Sequence, residues 1–301
     1  MRIDPAYAAA LRACGLDSVE AVLTRTSGRV AAWSRSTETL YVPGPQDAPG
    51  FFVKRYYYPG WGQRLRGALR GTFFGRHRGW AEFCLLNEMR RLGLPAVRPV
   101  AYGARRSAHF LTAGFLITEE VPEACDLTTF ARRVRSGRIR LDGQQRRALA
   151  RELARRVADL HALRFAHGQL FWRNILLRFG PAGDPEFFFL DVRPRRGGRR
   201  LRRLPRWWLH ELAQLAASAA PFATRTEQVR FLVEYFGARK LPPDFKRYIH
   251  EIARLAKRWE QHEQQRIRMS ERFEEWNRQL GAEEDAALLG PGPALRPGVP
   301  S

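Results

Sequence analysis

The sequence is poor in cysteine, in lysine and in long apolar runs. Its three cysteines, Cys14, Cys84 and Cys125, are too few and too far apart for a disulfide framework or a zinc site. No run reaches the roughly 18 apolar residues of a membrane-spanning helix. The first residues include Asp4 and Asp17 and lack the charged-then-apolar order of a signal peptide. These absences argue against a secreted disulfide scaffold, an integral membrane protein and a zinc finger, and they predict a cytoplasmic protein.

The composition is that of a folded, strongly basic chain. Of 301 residues, 45% are hydrophobic and 12% aromatic, which is enough for a sizeable core and one or two domains. Lysine and arginine number 52 against 30 acidic residues, a net charge of +22. This excess fits either a solvated basic surface or an anionic partner, such as a phosphorylated substrate, a membrane face or nucleic acid. No zinc spacing, aromatic RNA-binding signature or heptad repeat accompanies the charge, which argues against nucleic acid.

The first part of the chain is predicted to be a sheet with one helix. Short apolar and β-branched runs separated by glycine and proline indicate strands, and helical spacing of Leu85, Met89 and Leu92 indicates a helix over 80–92. The predicted strands cover residues 21–26, 30–34, 39–42, 51–57, 97–102 and 109–119.

Beyond residue 120 the periodicity is mainly helical. Two short strands are predicted among the helices, at 174–178 and 186–192. The predicted helices cover residues 144–163, 207–220, 226–236 and 243–280. We therefore predict an α+β, two-lobed chain. Its N-terminal lobe is 1–119 and its helical lobe 120–280, and the Gly- and Pro-rich tail 281–301 is predicted to be disordered.

One set of residues has the order of a kinase-like active site. His167 and Asn174 in HGQLFWRNILL, followed by Asp191 at the end of an apolar strand, match the order H-x-D-x-x-x-x-N and then Asp. Amide and carboxylate oxygens from adjacent strand ends are suitable ligands for Mg²⁺. Upstream, Lys54 stands in a strand of a chain that has only four lysines, and Glu82 in the next helix can pair with it.

These segments together resemble the bacterial lipopolysaccharide kinase family, a divergent branch of the protein-kinase-like fold. The likeness runs from about residue 22 to 266 and rests on VKRYYYPG, AEFCLLNEMRRLGLPAVRPVAYG, LITEEVPEACDL, HGQLFWRNILL and FLDVRPRR. It implies a two-lobed protein-kinase-like fold whose N-lobe covers the nucleotide. It also implies an ATP- and Mg²⁺-dependent kinase that phosphorylates a heptose or Kdo sugar of the lipopolysaccharide inner core.

The resemblance also implies roles for the nucleotide-binding residues. Lys54 would contact the ATP phosphates, and Glu82 would anchor that lysine. Glu119 to Val121 would line the adenine-binding hinge. The segment TRTSGRV matches a nucleotide-binding loop only weakly, because it has the single glycine Gly28 in place of a Gly-x-Gly-x-x-Gly pattern.

In the catalytic segment the resemblance implies that Asn174 and Asp191 bind Mg²⁺ and that His167 braces the loop. The sequence departs from the family at Gln169, where kinases have the catalytic aspartate. An amide can orient a hydroxyl but is a very poor base, and positioned proton transfer is typically worth roughly 10²–10⁴-fold. The alternative is therefore a catalytically impaired pseudokinase that binds nucleotide or acts as a scaffold.

The arginine-rich segment 193–203 directly follows Asp191 and is predicted to border the acceptor side of the cleft. Arg193, Arg195 and Arg196 are its candidate acceptor-binding residues, because a guanidinium can hold two phosphate or carboxylate oxygens. The expected partner is an anionic lipopolysaccharide core or another phosphorylated glycolipid, met by peripheral contact with the inner face of the cytoplasmic membrane. Phosphorylation of a protein is a weaker alternative, since no Ala-Pro-Glu element follows Asp191.

Overall fold

The N-terminal part of the chain forms one six-stranded antiparallel sheet. The computed structural model describes residues 1–34, 36–46, 48–58, 60, 77–193, 206–237 and 243–287. The strands are β1 (Arg2–Ile3), β2 (Arg29–Ser34), β3 (Thr37–Val42), β4 (Phe51–Tyr57), β5 (Pro99–Ser107) and β6 (Phe110–Glu119). Their order across the sheet is β1-β5-β6-β4-β3-β2. The strand β4 is thus internal, with Lys54 paired to Thr39 of β3 and to Leu116 of β6.

Helices of the same part of the chain pack against this sheet. A 3₁₀ turn (Pro5–Tyr7) is followed by α1 (Ala8–Ala13) and α2 (Val19–Thr24), and α3 (Arg78–Arg91) precedes β5. The strand predicted at 21–26 is wrong, because these residues lie mostly in α2. The Ser18 side chain accepts a hydrogen bond from the backbone N–H of Ala21 at 3.1 Å and caps that helix, which outweighs the β-branched residues in so short a run.

The second part of the chain is helical around a three-stranded sheet. Its elements are β7 (Cys125–Asp126), α4 (Leu127–Arg135), α5 (Gly143–Ala162), a 3₁₀ turn (Trp172–Asn174), β8 (Ile175–Phe179), β9 (Pro185–Phe189), α6 (Trp207–Ala219), α7 (Arg225–Phe236) and α8 (Phe245–Ala287). The small sheet has the order β7-β8-β9. The two-lobed α+β prediction is confirmed. None of the helices in these ranges has the length and apolar character that crossing a membrane requires.

One helix of this part was not predicted, and one predicted segment needs correction. The helix α4 begins at the end of the hinge-like segment LITEEVPEACDL and is capped by Asp126, whose carboxylate accepts from the N–H of Thr129 at 3.0 Å. The predicted disordered tail begins with seven residues that instead continue α8 to Ala287. A single Gly281 costs only about 1 kcal/mol in a helix, and the alanines and acidic residues that follow favour one. Residues 288–301 lie outside the described ranges.

The lobes share apolar packing. A smaller core joins α1, α2 and the strands β3 to β6, whereas the larger core lies in the helical lobe. Tyr56 of β4 and the α3 residues Leu86 and Met89 belong to the larger core. The segment before β5 also bonds to the end of β9, where the N–H of Val97 donates to the carbonyl of Phe189 at 3.0 Å. These contacts hold β4 and α3 over the segment that carries Asp191.

Candidate active site

Lys54 lies between two carboxylates that come from different lobes. Its Nζ is 2.7 Å from Asp191 Oδ1 and 3.1 Å from Glu82 Oε1. The Glu82 carboxylate also accepts a 2.6 Å hydrogen bond from the hydroxyl of buried Tyr56, and the Arg78 guanidinium lies 4.8 Å from the centre of the Tyr56 ring. Because β4, α3 and the segment after β9 all contribute residues, this cluster joins the two lobes at the cleft.

The charges in this cluster stabilise one another. Burial disfavours the Asp191 carboxylate, but the Lys54 ammonium, followed by Arg78 and Arg193, more than offsets this and lowers the pKa of Asp191 to about 2. Burial likewise disfavours the ammonium, but Asp191 and then Glu82 hold the pKa of Lys54 above its usual value. Burial, with a contribution from Asp191, raises the pKa of Glu82 against the opposing effect of Lys54. Lys54 and Asp191 are therefore both charged near neutral pH.

The loop between α5 and β8 has a buried histidine at its centre. The His167 side chain is fully buried, and its Nδ1 accepts a hydrogen bond from the N–H of Gln169 at 3.3 Å. Burial lowers the pKa of His167, in keeping with the neutral form that this bond requires. Gly168 has a positive φ of 80°, a region that favours glycine. The Asn174 side chain spans the loop, with its Nδ2 donating to the carbonyl of Gln169 at 2.9 Å.

Asn174 and Asp191 are brought together by the hairpin β8–β9. The N–H of Leu190 donates to the Asn174 carbonyl at 3.1 Å, and Asp191 follows with a left-handed backbone (φ 56°). For a residue other than glycine, such a conformation costs of order 1 kcal/mol and is enriched at functional sites. Among the described residues no hydrogen bond involves Asn174 Oδ1 or Asp191 Oδ2. This pair of oxygen donors fits Mg²⁺, which usually takes one or two protein oxygens and completes its shell with water and phosphate.

The candidate hinge follows the last strand of the large sheet. Glu119 ends β6, and its N–H donates to the carbonyl of Arg98 at 2.8 Å. The next residue, Glu120, is held by the Tyr41 hydroxyl at 2.9 Å, and Val121 is partly buried against the larger core. This segment connects the two sheets, and the adenine-lining role of Glu119 and Val121 stays a prediction.

Gly28 stands in the loop before β2. It has a positive φ of 129°, and a Cβ added there would lie 2.8 Å from the backbone oxygen of Tyr41. Only glycine therefore fits this turn without a shift of the β3 backbone.

The predicted acceptor-binding arginines are only partly described. Arg193 is anchored by its N–H, which donates to the carbonyl of His167 at 3.1 Å. Arg195 and Arg196 lie outside the described residues.

Sequence reasoning missed the residue that anchors the loop. The buried carboxylate of Glu211, in α6, accepts from the N–H of His167 at 3.0 Å, and its second oxygen accepts from the N–H of Gly168. His161 Nε2 lies 3.2 Å from the same carboxylate, and the Tyr235 hydroxyl lies 2.8 Å from the other ring nitrogen. The available signal was a glutamate in the apolar helix LHELAQ, since a buried carboxylate needs partners.

A second missed contact links the loop to the last helix. Arg173, in the turn before β8, forms an ion pair with the buried carboxylate of Glu263 in α8, and its guanidinium lies 4.2 Å from the centre of the Phe171 ring. The ring of Phe171 in turn packs edge-on against Trp259 of the same helix. The α8 helix thus forms part of the site's wall.

The site has the parts of a protein-kinase-like phosphotransferase. These parts are a lysine paired with a helix glutamate, an asparagine in a loop and an aspartate directly after the following hairpin. Comparison with known proteins agrees with this class and narrows it. The chain belongs to the lipopolysaccharide kinase (Kdo/WaaP) family, whose model matches residues 19–235. Because this is a family of kinases, the chain is a phosphotransferase.

Two named proteins and one solved structure show the range of the likeness. The chain is 31% identical over 196 residues to the lipopolysaccharide core heptose(I) kinase WaaP of Pseudomonas aeruginosa, covering 63% of this chain and 70% of that protein. It is 26% identical over 171 residues to the 3-deoxy-D-manno-octulosonic acid kinase of Pasteurella multocida, covering 56% and 65% respectively. A structure of WaaP in complex with acyl carrier protein superposes with a TM-score of 0.59 at 25% identity, covering 86% of this chain and 99% of that chain. The matches confirm the resemblance found in the sequence.

Proposed function

We propose that this protein transfers the γ-phosphate of ATP, with Mg²⁺, to a hydroxyl of a heptose or Kdo sugar in the lipopolysaccharide inner core. The observation that carries the proposal is the convergence of Lys54, Glu82 and Asp191 beside Asn174 in a chain of this family. Kinase chemistry needs a cation on the phosphates and oxygen ligands for the metal, and these residues supply both.

Each side chain has a defined task in this proposal. Lys54, directed by Glu82, binds the nucleotide phosphates, and Asn174 and Asp191 provide oxygen ligands to Mg²⁺. The bound metal supplies neutralisation of the negative charge on the phosphates. Glu119 and Val121 line the adenine site, because they stand on the segment that connects the lobes.

Gln169 determines how the acceptor is activated. Its backbone is fixed on both sides, by His167 Nδ1 and by Asn174 Nδ2. The amide can therefore hold the acceptor hydroxyl in line with the phosphate without removing its proton. Phosphoryl transfer depends mainly on positioning and charge stabilisation, so this arrangement supports a reduced but useful rate.

The acceptor is proposed to be anionic and membrane-bound. A net charge of +22 favours an acceptor that carries carboxylate or phosphate groups at the inner face of the cytoplasmic membrane. Arg193, next to the metal-binding aspartate, supports an acceptor position on that side of the cleft.

The test is transfer of labelled γ-phosphate from ATP·Mg²⁺ to purified inner-core lipopolysaccharide stripped of its phosphates. We expect phosphorylated sugar from the native protein, none from Asp191→Ala, and native activity from Asp184→Ala, which changes an exposed aspartate in the β8–β9 turn. Equal activity of the native protein and Asp191→Ala would contradict the proposal.

Gln169 favours a second candidate, a pseudokinase that binds nucleotide without turnover. This candidate is supported if no transfer occurs while ATP·Mg²⁺ still binds with an affinity that depends on Lys54 and Asp191. Failure of both phosphate transfer and ATP binding would contradict both candidate functions and leave only the kinase-like fold.

A further inference from the structure

Three arginines from three different elements lie close enough to the catalytic segment for their charges to interact. Arg173 lies in the turn before β8, Arg193 follows Asp191 by two residues, and Arg266 projects from α8. The ion pair between Arg173 and Glu263 fixes α8 against the loop. Because Arg266 lies three residues after Glu263, the two share a helix face, so Arg266 is directed to the same region.

The cluster has more cations than partners for them. Glu263 pairs with Arg173, and Asp191 pairs with Lys54. Within the described ranges no carboxylate forms an ion pair with Arg193 or Arg266. The buried Nε of Arg193 has no hydrogen-bond partner there. A buried guanidinium nitrogen without an acceptor is costly unless a ligand supplies one.

Electrostatics agrees with this geometry. The charges of Arg173 and Arg266 both act on Arg193, and the charge of Arg173 acts on Arg266. Three interacting cations with one carboxylate partner among the described residues indicate a site that is completed by an anion.

We infer that Arg173, Arg193 and Arg266 form a binding site for a phosphate or carboxylate group of the acceptor. This inference rests on the proposed kinase function and deepens it. Arg173 and Gln169 lie four residues apart in one loop. An acceptor whose anionic group binds these arginines therefore places one of its neighbouring hydroxyls at the side-chain amide of Gln169. The nucleotide phosphates have their own cations in Lys54 and the metal. The α8 helix thereby contributes to the specificity for the acceptor, although it lies outside the loop that contains Gln169 and Asn174.

The experiment measures binding and needs no turnover. Isothermal titration of the full-length protein with deacylated, phosphate-bearing inner-core oligosaccharide is compared with titration of ATP·Mg²⁺. The variants are Arg266→Gln and Arg193→Gln, with Arg268→Gln as the matched control, an exposed arginine on the same helix. Arg266 is also exposed, so its replacement leaves the fold intact.

We expect Arg266→Gln and Arg193→Gln each to weaken oligosaccharide binding by about tenfold, the loss of a charge-assisted hydrogen bond, with ATP affinity unchanged for Arg266→Gln. Arg268→Gln should bind like the native protein. Equal weakening by Arg266→Gln and Arg268→Gln would show a diffuse charge effect and overturn the site. A loss of ATP affinity in place of oligosaccharide affinity would assign the arginines to the nucleotide and also overturn it, as would a native protein that does not bind the oligosaccharide.

The binding result is separable from the proposed function. Arginine-dependent binding without any phosphate transfer would support the anion site and contradict the kinase proposal. Phosphate transfer together with identical oligosaccharide binding by Arg266→Gln and Arg268→Gln would support the kinase proposal and contradict the anion site.

Discussion

Lys54 Nζ and Asp191 Oδ1 lie 2.7 Å apart, although 137 positions separate the two residues in the chain. Their contact is the point at which β4 of the sheet lobe meets the segment that leaves β9. The same ammonium is shared with Glu82 of α3, so one cation holds two poorly exposed carboxylates from different lobes.

Replacing Lys54 should therefore weaken folding as well as activity. Lys54→Met leaves Glu82 and Asp191 without their shared cation, and we expect the free energy of unfolding to fall by about 2–3 kcal/mol. Phosphate transfer should fall by at least about 10²-fold because a cation on the phosphates is lost. Denaturant unfolding and the transfer assay measure the two effects. Lys257→Met, which alters an exposed lysine of α8, is the control and should leave both unchanged. Unfolding curves that coincide for the two variants would refute this account.

The anchor at Glu211 should matter more than any surface ion pair. Glu211→Gln removes the charge that accepts from the N–H groups of His167 and Gly168, and we expect a loss of about 1.5–3 kcal/mol in unfolding free energy. The control Glu234→Gln breaks only an exposed pair with Arg151 and should change stability by less than about 0.5 kcal/mol. If the two variants unfolded at the same denaturant concentration, Glu211 would not be the anchor of this loop.

Restoring a carboxylate at position 169 should accelerate the reaction. The loop already fixes this residue between His167 and Asn174, so Gln169→Asp places a base where the acceptor hydroxyl is oriented. We expect kcat to rise by about 10²-fold, toward the usual value of positioned proton transfer. Gln169→Asn shortens the side chain equally without adding a base and should not accelerate transfer. A rate for Gln169→Asp no higher than that for Gln169→Asn would mean that proton removal does not limit this enzyme.

Stability should depend on pH through His77. This buried residue caps α3, with its Nδ1 accepting from the N–H of Trp80 at 3.3 Å, and burial, then Arg106 and the N-terminal ammonium, lower the pKa of His77 to about 4. In the unfolded chain the pKa is about 6.5, so between these values the unfolded state binds the proton first. The stabilisation is fully present above about pH 6.5 and is lost as the pH falls toward 4, by up to about 3 kcal/mol.

The measurement is the unfolding free energy of the native protein and of His77→Asn at pH 7.5 and at pH 5. Asparagine is a good N-cap residue that does not titrate, so the variant should lose less stability than the native protein between these two conditions. Equal losses would remove His77 as the source of the dependence.

The hydrophobic periodicity of the sequence and the order of its motifs predicted most of the strands and helices and the two-lobed fold. The alternating residues of β4 and the helical spacing of α3 were sufficient to place Lys54 and Glu82 on their elements. The helix α2 was mistaken for a strand because its cap, Ser18, outweighs a local pattern of only a few residues. The contact of Glu211 with His167 spans 44 positions, and no local pattern specifies which buried groups a glutamate in an apolar helix will meet. The pairing of Lys54 with Asp191 was not predicted, since two distant elements must fold against each other to create it.

The ion pair between Arg173 and Glu263 also has a consequence for the order of synthesis. The ribosome makes the catalytic loop 90 residues before its partner in α8. At typical elongation rates this interval is on the order of 5–20 s. During this time the loop has been synthesised, but the helix that neutralises Arg173 has not. The guanidinium of Arg173 therefore stays without its carboxylate partner until α8 has been made.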